Sequence, residues 1–405
     1  MNIRERFKKI CRFERTNDPM FAVYGISSWY ETYFRWINEG LPVKDKSLPN
    51  LKDINLHLLG YENQNESIIP CGSISGVGPY GTAPWISAID PKYEVKVISE
   101  SSDKVIQVDP DGAIVERKKH EDFSIPRFIE YPVKDRKTWK EYKKRLDPFS
   151  PGRWPEGWET MTDDKLQFTI KKEHEGKHWK YRDFLLGMNL MSLYGNPRSY
   201  MGVENLSYAI FDDIGLVEDM IETQFYLANE MVKKVFEAGV DLDWVQQYED
   251  MCYKSGPLAS PKFVKEFMAP RYKKNSELLR KNGVELILMD CDGNVDELLP
   301  IWIECGINGI YPLECASNMD ARKVRKKYGK NVIIIGNIDK RALAAGKKEI
   351  DEELDKAKTL LEFGGYFPCA DHEIPPNVSY QNIVYFLNGL AKLSDYEGTI
   401  RFINI

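Results

Sequence analysis

The chain contains no apolar run approaching the roughly 20 residues that a membrane-crossing helix needs. Its opening stretch, Met1 to Thr16, reads as an amphipathic basic helix and lacks the apolar core of about 7 to 15 residues found in a secretory signal. A cytoplasmic protein without a membrane partner is expected. Positive charge is not in excess either: 56 Lys and Arg face 62 Asp and Glu, a formal net charge of −6. The basic runs, such as Lys143 to Arg145 and Arg322 to Lys327, lie in segments with apolar residues at helical spacing, so nucleic acid is not an expected partner. Seven cysteines, an odd number with no close-spaced pair, argue against a disulfide framework and leave the thiols as packing residues or ligands. Short-period repeats and low-complexity segments are also missing. What remains is 405 residues at 42% hydrophobic content, enough to bury a large core.

Against that background one pattern stands out. Five times between Val240 and Asn382 a short apolar run breaks off into an acid, thiol or histidine, and a helix follows. The runs end in Glu249-Asp250, Asp290-Cys291-Asp292, Glu314-Cys315, Asn337 to Asp339, and Cys369 to His372. In a parallel β/α architecture that position is the carboxyl end of a strand, where loops from separate strands converge. The spacing predicts a pocket there.

From Asp212 onward the elements alternate. Val217, Met220, Ile221, Ala228, Met231 and Val235 mark a long helix by their steps of three and four. Val240–Val245, Glu285–Met289, Asn308–Pro312, Asn331–Ile335 and Gly365–Pro368 read as strands, with helices between. Ser260-Pro261 and Ser379 open two of those helices. Before residue 180 the texture differs. Tyr93–Ser99, Lys104–Val108 and Ala113–Lys118 are β-prone, and Asp109-Pro-Asp-Gly112 is a turn sequence. Residues 85–160 are expected to form a small antiparallel insertion or lid within one domain spanning 1–405. Gly72 to Gly81 is rich in glycine but has no Lys-Ser/Thr ending and no clear preceding strand, so it reads as a loop near the mouth.

The wording of the chain adds to its periodicity. Asp290-Cys-Asp-Gly-Asn294, Tyr311-Pro-Leu-Glu314, Gly336-Asn-Ile-Asp-Lys340 and the run from Gly364 to Pro376 resemble the uroporphyrinogen decarboxylase-like superfamily. So do Arg4-Glu-Arg-Phe7, Gly40-Leu-Pro42, Glu249-Asp-Met251 and Gly256 to Pro261. The resemblance covers nearly the whole chain in the expected order and implies an α/β fold, a distorted (β/α)8 TIM-type barrel with an N-terminal extension. True decarboxylases of this kind grip substrate carboxylates with an arginine-rich N-terminal motif. Here the matching stretch, Phe21 to Tyr30, has no arginine, and the next is Arg35. A tetracarboxylate substrate would lack its basic clamp.

The resemblance lies nearer the branch of methyltransferases that move methyl groups to or from a corrinoid. It implies a methyltransferase acting on a small methylated molecule, such as a methoxylated aromatic, with a corrinoid or corrinoid protein as partner. A homodimer is left open. That branch holds zinc with a His-x-Cys pair and a distant Cys. In this chain Asp290 and Asp292 fall where the His and Cys stand, and His372 falls at the distant position. Zinc or another divalent ion is therefore expected on Asp292, Glu314 and His372, with Cys369 or Cys291 able to replace one of them. Such an ion would polarise a substrate oxygen or sulfur.

Glu249, Asp250 and Asp290 are the candidate acid/base groups, and Trp29, Tyr30, Tyr248 and Asn337 the candidate substrate contacts. Each has a plainer alternative. Asn294 and Asp339 can be helix caps, His372 a hydrogen-bonded loop residue, Cys305 and Cys315 core thiols, and the rings of Trp29, Tyr30 and Trp36 a cover for the barrel base. Carboxy-lyase activity on a porphyrinogen and a non-catalytic tetrapyrrole- or corrinoid-binding barrel are the alternative functions.

Overall fold

A computed structural model describes residues 3–14, 21–22, 29–41, 68–69, 80–82, 89–119, 125–154, 185–190 and 192–393. The chain enters through α1 (Ile3–Cys11), β1 (Phe21–Ala22), α2 (Tyr30–Asn38), β2 (Ile68–Ile69) and β3 (Tyr80–Thr82). An antiparallel group follows, β4 (Lys96–Glu100), β5 (Lys104–Val108), β6 (Ile114–Lys118) and β7 (Arg127–Glu130), with α3 (Arg136–Lys143) after it. Next come β8 (Leu185–Leu190), α4 (Gly195–Met201), α5 (Val203–Asp212), α6 (Ile214–Glu237) and β9 (Trp244–Tyr248). A two-residue hairpin, β10 (Cys252–Tyr253) and β11 (Gly256–Pro257), leads toward α7 (Ala269–Lys281). The last third alternates: β12 (Leu286–Asp290), α8 (Leu299–Glu304), β13 (Gly309–Tyr311), α9 (Ala321–Tyr328), β14 (Ile333–Ile338), α10 (Lys340–Ala345), α11 (Lys347–Phe363), β15 (Tyr366–Ala370) and α12 (Tyr380–Leu393).

Seven strands form one sheet in the order β15-β14-β13-β12-β9-β8-β3, and every pairing in it is parallel. The β1–β2 pair, also parallel, lies against the β15 edge. This is the strand arrangement of a TIM-type barrel, with helices outside and all strand carboxyl ends on one side. The fully buried runs Leu286–Asp290, Ile333–Ile338 and Tyr366–Ala370 explain themselves: a strand covered on both faces is apolar throughout. Between β13 and β14 the backbones approach so closely that a Cβ at Gly336 would meet Pro312 O at 2.1 Å, and Gly336 has φ of 103°. Only glycine fits there.

Helix α1 closes the far end. Phe7 is buried with its ring 5.8 Å from that of Phe367, and Arg4 reaches Asp243 Oδ1 at 2.9 Å and Asp241 Oδ2 at 2.6 Å at the base of β9.

The strands shift from the expected bounds in an instructive way. The run expected at Val240–Val245 lies at Trp244–Tyr248, because Asp243 is fixed at the strand's foot by Arg4 and by the Leu186 N–H, 3.0 Å from its Oδ2. The two glutamines after Val245 are inside the strand, not beyond it. The antiparallel insertion has four strands where three were expected, and its β5–β6 turn is held by Asp109 Oδ1, which accepts from Asp111 and Ala113 at 3.0 and 2.9 Å. Most of Gly72 to Gly81 lies outside the described residues.

Candidate functional site

The strand-end acids do not share one environment. Glu249 is fully buried against the start of α4. Its carboxylate accepts from the backbone N–H of Leu193, Tyr194 and Gly195 at 2.8, 2.7 and 3.2 Å and from Tyr272 Oη at 2.8 Å. Burial raises its pKa, and those four hydrogen bonds pull the other way. The residue ties β9 to the β8–α4 loop, so the expected free acid/base role gives way to a structural one. Asp250, with φ of 40°, turns back over the strand end and pairs with Arg198 at 2.6 Å, while Tyr248 Oη donates to it at 3.1 Å.

Asp290 stands alone in a different sense. It lies at the end of β12, in register with Tyr248 of β9 and Tyr311 of β13, and only 6% of it is exposed. Gln246 Nε2 donates to its Oδ2 at 2.6 Å, and no ion pair to it is present among the described residues. Burial first, then the nearby carboxylates of Asp292 and Asp250, push its pKa well above the ordinary aspartate range, against the Gln246 hydrogen bond. Both effects favour the protonated form of this carboxyl.

Across the mouth His372 Nε2 meets Asp292 Oδ2 at 3.4 Å. Burial lowers the imidazole pKa, but the hydrogen bond and charge of Asp292, helped by Glu314 and opposed by Lys340, raise it overall. The Glu373 N–H donates to Nδ1 at 2.8 Å. That contact favours the ring with its proton on Nε2, directed to Asp292, and restrains the rise.

Glu314 uses Oε2 to accept from the Gly293 N–H at 2.9 Å and from Ser317 Oγ at 3.1 Å, and Lys340 Nζ lies 3.7 Å from its Oε1. Cys369 is 1% exposed inside β15, and Cys291, equally buried, accepts from the Met251 N–H at 3.3 Å. The expected ligand set Asp292, Glu314, His372 and Cys369 is therefore not gathered around one point. Among the described residues no group of three or more His, Cys, Asp and Glu side chains is disposed to hold a metal ion. A nitrogen that carries its proton toward a carboxylate, and a carboxylate already committed to an amide, a hydroxyl and an ammonium, do not fit a divalent ion as they stand.

The substrate candidates divide as well. Tyr248 is half exposed at the rim, its phenol pKa raised chiefly by burial and by Asp250. Trp29 is 43% exposed, and its backbone N–H donates to Ile374 O at 3.2 Å, which sets it beside the loop that carries His372. The backbone of Tyr30 opens α2, and its side chain lies outside the described residues. Asn337 is completely buried with φ of 62°: its amide nitrogen donates to Leu313 O and Met319 O at 2.7 and 3.1 Å, and its Oδ1 accepts from the Ala321 N–H at 2.9 Å. With donors and acceptor spent on the β13–α9 loop, it is a latch and not a ligand contact. Asp339 caps α10 by accepting from the Arg341 N–H. Asn294 accepts from the Asp296 N–H at 3.1 Å and donates to Ser317 O at 3.1 Å, holding its loop.

Sequence reasoning gave no role to Gln246, Arg198 or Lys340, and placed Asp371 at the fifth strand end without assigning it one. Asp371 is buried and accepts from the Cys315 and Lys340 N–H groups at 2.8 and 3.0 Å, joining three strand ends, and burial raises its pKa against those bonds. The signal for Lys340 was available: it follows directly on one of the five strand ends.

A parallel β/α barrel with its ionisable groups collected at the carboxyl ends of the strands is the class that fold and site define. The model for the uroporphyrinogen decarboxylase (URO-D) family matches residues 190–392, just over half of the chain, and the chain belongs to that family. Among solved structures, a methyltransferase from Methanosarcina mazei matches with a TM-score of 0.53 at 16% identity, covering 97% of this chain and 99% of that one. At that identity the likeness concerns the fold. A B12-independent methionine synthase from Shewanella sp. W3-18-1, in complex with selenomethionine, matches with a TM-score of 0.36 at 15% identity over 53% of this chain and 64% of that one, too slight to carry an argument. No curated protein matches in sequence. No described helix is long and apolar enough to cross a membrane.

Proposed function

We propose that the chain is a methyltransferase that takes the methyl group from an oxygen of a small methoxylated molecule and passes it to a corrinoid, free or carried by a partner protein. The observation that carries this reading is Asp290, a strand-end carboxyl buried between two other acids and hydrogen-bonded by Gln246. An ether oxygen leaves poorly as an anion. A neutral carboxyl beside it can give up its proton as the carbon–oxygen bond breaks, so that the oxygen departs as an alcohol or phenol. Asp290 would hold that proton, and Gln246 would hold Asp290. A reduced corrinoid, when bound, supplies the acceptor for the methyl group. The exposed rings of Trp29, Tyr248 and Tyr253 offer flat apolar surface at the rim, which suits a planar ring system.

The fold held in common with a methyltransferase supports the same reading. Porphyrinogen decarboxylation draws less support, because Arg35 is bound to Glu39 at 2.6 Å and to Pro376 O at 2.9 Å and offers no clamp. Activation runs through a proton, since the donor set expected for a metal is divided among other partners.

The test is incubation of the protein with reduced cobalamin and 4-methoxybenzoate, following methylation of the corrinoid by absorbance. Transfer by the parent protein is expected, and Asp290→Asn should lower its rate by about 100-fold or more. Absence of transfer from any methoxylated aromatic overturns the reading.

A further inference from the structure

Two neighbouring elements far from the strand ends carry large apolar side chains in the open. On α5, Phe211 is 87% exposed and Tyr208 62%, with Val203 half-exposed at its start. Ile125, just ahead of β7, is 80% exposed, and Phe128 and Ile129 within that strand are half-exposed. The two elements adjoin. The ring of Phe128 stacks on that of Tyr131 with centroids 5.3 Å apart, a Cβ on Gly202 would meet the Tyr131 ring at 2.5 Å, and the Val133 N–H donates to Tyr200 O at 3.0 Å. Leu206 and Ala209 turn the other side of α5 into the core. The edge of β7 and the outer face of α5 therefore form one surface.

That surface is large for a chain that works alone. From their exposures, the rings of Phe128, Tyr208 and Phe211 together offer roughly 300 to 450 Å² of apolar area. Monomers rarely leave a contiguous apolar patch of more than a few hundred Å². With Val203 and the two isoleucines added, the face approaches the about 800 Å² that each partner brings to a stable interface. Its charges fall in two halves. Arg127 on β7 has a side chain 75% exposed and reaches Glu116 only at 3.9 Å, while Lys104 holds the same glutamate at 3.0 Å. Glu204 and Asp212 on α5 are exposed and make no ion pair among the described residues.

We propose that this face joins two copies of the chain about a twofold axis, with β7 of each copy lying on α5 of the other. A twofold contact must be self-complementary, since each copy presents the same patch. Here the arginine of one half faces the acids of the other half twice over, and the exposed rings pack between the two charge contacts. A foreign partner would have to reproduce both halves; a second copy brings them already arranged. Side chains make the contact and not strand pairing, because the register shift opposite Ile114 and Val115 disturbs the regular outer edge that pairing would need. The contact is independent of the reaction at the barrel mouth.

Sedimentation velocity of the full-length protein at micromolar concentration tests this. The parent should sediment at twice the chain mass. Phe211→Glu should sediment as a monomer at the same concentration, with an unchanged circular dichroism spectrum showing that it is folded. Ile98→Glu, on β4 at the opposite edge of the same antiparallel sheet, should leave the dimer intact. Arg127→Glu should weaken dimerisation by about tenfold or more, because it sets like charges against each other, and adding Glu204→Lys and Asp212→Lys to it should restore most of the loss. A parent that stays monomeric at tens of micromolar gives the face to another protein or to a further segment of this chain and overturns the proposal. So does a dimer that survives Phe211→Glu, or a charge reversal on β7 that reversal on α5 does not repair.

Discussion

At the scale of single residues, what separates Asp290 from Glu249 is the supply of backbone donors. Both are acids at strand ends, and both are removed from water. Three amides of the β8–α4 loop converge on Glu249, whereas Asp290 receives one side-chain amide and two acidic neighbours. The strand-end rule made both positions legible in the sequence; the direction each side chain takes was not, because it depends on a loop some 55 residues away. The contrast has a consequence for stability. An unfolded aspartate titrates near 3.9. With its folded pKa raised, Asp290 favours the folded state fully below about pH 3.9, and that contribution is lost as pH rises toward the folded value. Replacing Asp290 by Asn removes the dependence. Asp290→Asn should therefore gain stability relative to the parent as pH rises from 4 to 7, by up to about 1.4 kcal/mol per pH unit. Urea denaturation at pH 4, 5.5 and 7 checks this, and a difference that does not change with pH contradicts it.

At the scale of elements, α1 shows how a charged face can be internal. Its sequence reads as a basic amphipathic helix. The structure buries Arg6, Phe7, Ile10 and Cys11 and sends Arg4 to Asp241 and Asp243. Asp243 is completely buried, and its Oδ2 also accepts from the Leu186 N–H. Removing the guanidinium takes a counter-ion from a buried carboxylate, which typically costs up to about 3 to 5 kcal/mol. Arg4→Ala should lose stability of that order in urea unfolding, and Arg4→Lys should lose less. A loss below about 0.5 kcal/mol would place the pair among exposed ion pairs of little worth. The same carboxylate explains why the start of β9 was misread from sequence. Val240 and Leu242 have the composition of a strand, but the strand begins only after Asp243, and Gln246 turns its amide to Asp290. Hydropathy cannot distinguish a glutamine that ends a strand from one that lines the barrel beside an acid.

At the scale of the whole molecule, alternation of strands and helices together with the family wording made the barrel legible, and the cross-mouth pairings were not. His372 follows β15 and Asp292 follows β12, three places apart in the sheet, so their contact depends on curvature of the whole sheet. That curvature in turn depends on a core distributed unevenly along the chain. β12, β14 and β15 are buried at every residue, whereas β4 and β7 are exposed at every residue and form the two edges of the separate antiparallel sheet. Backbone hydrogen bonds in the first group open only when the barrel does, and those in the second can open locally. Hydrogen exchange read by mass spectrometry should therefore show the slowest peptides across 286–290, 333–338 and 366–370, and exchange faster by orders of magnitude in 96–100 and 127–130. Equal protection in the two groups would mean that the antiparallel sheet opens only together with the barrel. It would then be an integral wall of the mouth and not an insertion mounted on it, and substitutions at its exposed edge would carry through to the strand-end groups that Asp290, His372 and Lys340 represent.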